Sequence, residues 1–185
     1  MYKWLREWFD ESLEIATGPK KFFSEKEELK DYGYTIKFAV TSYIIAFFLR
    51  YVFSNMILLM AKGTTQITIA SIPQDILKTL ILGSITGIIS LFLWSFILHL
   101  LVILFGSENF KKTVNAVAYP IVITALFGWI PLVNSLALIY VLVAEARGIE
   151  KLHEFSFGKS LAVVFIPSII LFILALMLLV SLFFI

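Results

Sequence analysis

Thr113–Ala144 reads TVNAVAYPIVITALFGWIPLVNSLALIYVLVA, a run of 32 residues without one charge. As a single helix it would be about 48 Å long, too long to cross a hydrocarbon core about 30 Å thick at ordinary tilts. Its centre, Phe127-Gly128-Trp129-Ile130-Pro131, joins a glycine, a Trp of the kind that favours membrane interfaces, and a helix-breaking proline. The run therefore reads as two short helices, about 113–128 and 131–147, turning back at that corner. A re-entrant hairpin that dips into the bilayer and returns is the competing reading.

The rest of the 185-residue chain agrees that lipid is its main solvent. Hydrophobic residues make up 60% and charged residues 15%, and the mean hydropathy is +0.95. A soluble domain is about 45–50% apolar and about 25% charged, and a globule of this size has too little interior to hide the difference. The 18 Phe exclude disorder. A formal charge of +2 is too small to suggest nucleic acid, and the absence of Cys removes disulfides and thiol chemistry. Three further runs are long enough to span: about 36–61, broken only by Lys37 and Arg50; about 76–105, carrying Lys78 and His99; and about 160–185, uncharged from Leu161 onward.

Charge placement supports the turn. Lys and Arg favour the cytoplasmic side, while acidic residues count little. If the central run doubles back, Lys3, Arg6, Lys20, Lys21, Lys26, Lys30, Lys37, Lys111, Lys112, Arg147, Lys151 and Lys159 share one side, against Lys62 and Lys78. A single crossing would weaken the asymmetry to nine against five. The expectation is an all-α membrane bundle of five transmembrane helices, N-terminus cytoplasmic and C-terminus outside. Residues 1–35 form a cytoplasmic segment and 36–185 the membrane domain. The Lys62–Asp75 stretch is expected as an outer connection.

Residues 1–35 hold eight acidic residues and lack the apolar core and cleavage site of a secretory signal. Met1, Trp4, Leu5, Trp8, Leu13 and Ala16 recur at helical spacing until Gly18-Pro19. The segment reads as an amphipathic helix, packed on the bundle in preference to lying free on the bilayer.

Charged groups within spans flag function by default, because burying them in lipid is costly. Arg50 either snorkels to the headgroups beside Tyr51 or lines a pathway. His99, about 9 Å from the inner end of its helix, shares a depth with Glu108 and Glu145. The three could relay protons or bind a cation, although separate interhelical and interfacial bonding is the simpler reading. Asn115, Tyr119, Asn134 and Tyr140 are expected to bond between helices. Gly83 and Gly87 suit close helix packing within the bundle, and Pro120 and Pro167 should kink their helices. His153-Glu154 lacks the second His of a His-Glu-x-x-His motif, and no phosphate loop, nucleophile elbow or metal-ligand spacing is present. No enzymatic activity, cofactor or metal is expected.

Gly106, Phe110, Tyr119-Pro120, Pro131, Tyr140, Gly148-Ile149, His153, Lys159 and Pro167, in that order, resemble the Yip family of small polytopic membrane proteins. Pro19 with Phe22-Phe23 is similar to the Pro-x-x-Phe-Phe opening of many prokaryotic members. The resemblance implies five membrane helices. In eukaryotic members it also implies contact with prenylated Rab-type GTPases and with relatives. This chain lacks a long N-terminal region and an Asp-Leu-Tyr-Gly-Pro motif, so GTPase binding is not expected. The implied protein is a prokaryotic plasma-membrane member, non-enzymatic, organising membrane or partner proteins as a homo- or hetero-oligomer. The alternative is a small transporter, channel or lipid-moving protein using Arg50, His99 and Glu145.

Overall fold

The computed structural model describes residues 2–25, 31–62 and 72–183. Eight helices occupy them: α1 (Tyr2–Thr17), α2 (Pro19–Glu25), α3 (Tyr32–Lys62), α4 (Ile72–Leu104), α5 (Phe110–Ala118), α6 (Ile121–Phe127), α7 (Pro131–Leu152) and α8 (Phe157–Phe183). Most of the expected outer connection, together with Lys26, Lys30 and Ile185, lies outside the described residues. Four helices are long and apolar enough to cross a membrane: α3 over Tyr32–Ile57, α4 over Ile76–Leu104, α7 and α8 over Phe157–Leu182.

The central run breaks where the sequence concentrates its breakers. Ile130 is extended and Pro131 opens α7, a position where its missing N–H costs nothing. The stretch expected as one helix over 113–128 is instead two, α5 and α6, parted at Tyr119-Pro120. Pro120 has no N–H for the carbonyl of Ala116, and the chain resumes through three-residue bonds from Val122 to Tyr119 and Ile123 to Pro120. Neither piece is long enough to span alone, yet the two are the most enclosed part of the molecule. Thr113 to Ile123 are all buried. A continuous apolar run thus becomes a core element wrapped by protein, where a lipid-facing helix was equally consistent with composition.

The ends of the bundle follow from cross-helix contacts. At one end, here called near, Thr35 on α3 donates to Asn115 on α5. At the far end Phe53 on α3 meets Trp129, their rings 5.2 Å apart. α4 returns antiparallel to α3, with Gly83 under the Phe47 ring and Gly87 under the Tyr43 ring. A Cβ at Gly87 would lie 2.8 Å from that ring, so the two glycines are what let the backbones close up.

α1 and α2 lie against the bundle. Trp4 Nε1 donates to Thr41 and Trp8 Nε1 to Ser42, both on α3, and the Tyr140 hydroxyl donates to the Ala16 carbonyl. Pro19 starts a further helix where the sequence suggested an end, and its Phe22 and Phe23 pack on Tyr119. α8 behaves differently along its length. Val163, Val164 and Pro167 are buried, whereas Ile169 to Leu182 are exposed on every side.

Candidate functional site

The near end holds the densest group of polar side chains. α4 ends in a Schellman turn: the Gly106 N–H bonds Ile103 O and the Ser107 N–H bonds Val102 O. This needs the left-handed φ of +92° that Gly106 adopts. α5 then starts on Asn109, whose side chain accepts from the Lys112 N–H. α7 ends in the same kind of turn, with the Phe155 N–H bonding Glu150 O and Glu154 in the left-handed position at φ 58°. The two turns bring Ser107 and His153 face to face.

From there a hydrogen-bonded chain runs inward. Ser107 Oγ lies 2.6 Å from His153 Nδ1, His153 Nε2 lies 3.1 Å from Thr113 Oγ1, and Thr113 Oγ1 lies 2.9 Å from His99 Nδ1. The Glu108 backbone also bonds His99, and Phe110 sets its ring edge-on to the same imidazole at 5.1 Å. A hydroxyl has one proton, so Thr113 donates to one imidazole and accepts from the other. If Thr113 donates to His153, then His153 donates to Ser107 and His99 donates to Thr113; the opposite sense reverses all three bonds. Both arrangements keep the His153 ring neutral. Burial, the Lys112 ammonium and His99 together hold His153 down to about 4.

Such a chain can pass a proton by reversing, but among the described residues it stops at His99. Glu145, expected at the same depth, takes a different partner: Trp94 Nε1 donates to its carboxylate at 3.0 Å. The structure therefore does not bring His99, Glu108 and Glu145 together. Glu108 is exposed and meets His99 only through its backbone. No three His, Asp or Glu side chains converge as a metal would require, among the described residues. Sequence reading singled out His153 through its motif but missed Thr113 and Ser107. A hydroxyl one helical turn past a loop carries no signal of its own.

Arg50 sits elsewhere. Near the far end a cleft of about 230 Å³ opens between α3, α6 and α7, lined by Tyr43, Ala46, Phe47, Arg50, Thr124, Gly128, Asn134 and Leu138. Arg50 is exposed and makes no ion pair among the described residues. Of the polar residues expected to bond between helices, Asn115 and Tyr140 do, whereas Asn134 faces this cleft.

The remaining residues of the ordered pattern explain themselves around α5. Gly148 admits the helix: a Cβ there would lie 2.9 Å from Ala116 Cα and 3.0 Å from Phe23. Tyr119 is ringed by Phe22, Phe23 and Phe38. Pro131 opens α7 and Pro167 marks where α8 leaves its neighbours.

Long apolar helices around a buried, broken fifth element, with polar groups bonded to one another, define a multi-pass integral membrane protein. The Yip1 domain family matches residues 13–179, nearly the whole chain, and the protein belongs to that family. No curated protein and no solved structure matches it.

Proposed function

We propose that this Yip1-family protein is a non-enzymatic organiser of membrane or partner proteins. It sits in a prokaryotic plasma membrane with its near end cytoplasmic and its C-terminus outside. On this reading α5 and α6 together make the fifth crossing. Their bonds to Thr35 at one end and to Phe53 through Trp129 at the other support it. α1 is the amphipathic helix at the cytoplasmic face.

The observation that carries the organising role is the second apolar face of α1. Its inward side is occupied by Trp4, Trp8 and Ile15. Leu5, Phe9 and Leu13, four residues apart, form a separate stripe with 43–49% of each residue exposed. An uncovered stripe of this kind marks a contact with lipid or another protein. Charged neighbours such as Arg6 and Asp10 flank it. Affinity capture from native membranes, with self-association read by cross-linking, tests the role. Recovery of co-purifying membrane proteins or of homo-oligomers, reduced by Phe9→Glu, supports it; recovery of a lone monomer overturns it.

A small transporter or lipid-moving protein is the second reading, favoured by the Arg50 cleft. Its lining does not include His99 or Glu145. Ion, proton or lipid flux in reconstituted vesicles no greater than in empty ones would remove it.

A further inference from the structure

The far-end cleft pairs a cation that makes no ion pair among the described residues with a graded lining. α3 runs outward from Tyr43 to Arg50 and α7 runs inward from Asn134 to Leu138. Arg50, Gly128 and Asn134 therefore form the outer rim, Ala46, Phe47 and Leu138 lie about a turn deeper, and Tyr43 closes the bottom. Arg50 stands roughly 27 Å along α3 from Tyr32, close to the thickness of a hydrocarbon core, so its guanidinium can reach the far headgroup layer. Trp129, packed on Phe53 beside this rim, is the residue type that settles at that layer.

We propose that this cleft holds one membrane phospholipid, its phosphate on Arg50 and Asn134 and the start of an acyl chain against Phe47 and Leu138. A guanidinium fork matches two phosphate oxygens at once, and the Asn134 amide adds a donor on the facing helix. The apolar depth decides between sources of the anion. A free phosphate would leave Ala46, Phe47 and Leu138 unused, whereas a diacyl lipid fills them and continues along the exposed Phe48 and Ile139. This site goes beyond the partner-organising role and stands or falls separately from it. Retention of a lipid does not require that it be moved.

The test is native mass spectrometry of the full chain released from nanodiscs of phosphatidylglycerol and phosphatidylcholine. One retained phospholipid per chain is expected. Arg50→Gln should cut retention on the order of tenfold, since hydrogen bonds to charged groups are among the stronger ones. Leu138→Trp, which fills the cleft without touching charge, should do the same. Arg6→Gln, on exposed α1, should not. Millimolar inorganic phosphate should leave the lipid in place. No retained lipid, equal retention in Leu138→Trp, or displacement by phosphate would each overturn the proposal. Leu138→Trp and the phosphate competition decide the matter even if Arg50→Gln fails to fold.

Discussion

His153 ties the turn after α7 to the turn after α4 and to α5 with its two ring nitrogens. Its neutral form is the one the site accepts, because burial and the Lys112 charge oppose a second positive group. An imidazole in an unfolded chain titrates near 6.5. Folding therefore favours the unprotonated ring. Its contribution to stability is complete above about pH 6.5, falls as pH drops from there to about 4, and changes no further below. The loss is on the order of 3 kcal/mol. Thermal unfolding of the detergent-solubilised protein across pH 7.5 to 4 should show the decline. His153→Gln should flatten the part of the curve between 6.5 and 4, because its amide does not titrate. A variant curve parallel to that of the parent would show that another group carries the pH dependence.

At the scale of elements, helix ends and helix contacts explain which residues are irreplaceable. Gly106 has open space around its α-carbon, so only its φ of +92° restricts what can stand there. Gly106→Ala should cost about 1–2 kcal/mol through backbone strain alone. Glu154 occupies the equivalent place after α7 with the same handedness, so Glu154→Gly should raise the unfolding midpoint where the first variant lowers it. Gly148 is restricted by space instead. Gly148→Ala drives a methyl into the Ala116 backbone, which cannot rotate aside, and should cost about 1–3 kcal/mol. Gly158→Ala on α8 meets nothing within 4 Å and should be neutral or stabilising by up to about 1 kcal/mol. Unfolding midpoints of the four variants, measured side by side, check the ordering.

These elements also mark what could be read beforehand. The corner at Gly128–Pro131 was legible because a glycine, a Trp and a proline coincide there. The long apolar helices were legible from length alone. The pairing of His99 with Thr113 and His153 was not, because partners 14 and 40 residues apart share no periodic signal. Depth arithmetic put Glu145 near His99, but depth leaves rotation about the helix axis undefined, and Glu145 faces Trp94. Nor does composition separate a lipid-facing helix from an enclosed one, so the burial of α5 and α6 was not legible, and Pro120 was expected to kink one helix where it parts two.

Across the whole molecule, five passes would separate the two ends of the chain. Tags placed before Met1 and after Ile185 should report from opposite compartments in a protease-protection assay, with the N-terminal tag inside. The same compartment for both would require an even number of passes, as when α5 and α6 enter and leave on one side while α3, α4, α7 and α8 each cross. Accessibility labelling at Trp129 and Ile130 would then locate the corner.

α8 has a consequence of its own. Beyond Pro167 every residue from Ile169 to Leu182 is exposed, so the described part of the fold holds this end of the helix only loosely. Bilayer thickness then sets its angle. In thin membranes the Ile169–Leu182 segment should lean over about the proline hinge, and in thick ones stand upright, which makes the end of this chain a gauge of the lipid it inhabits.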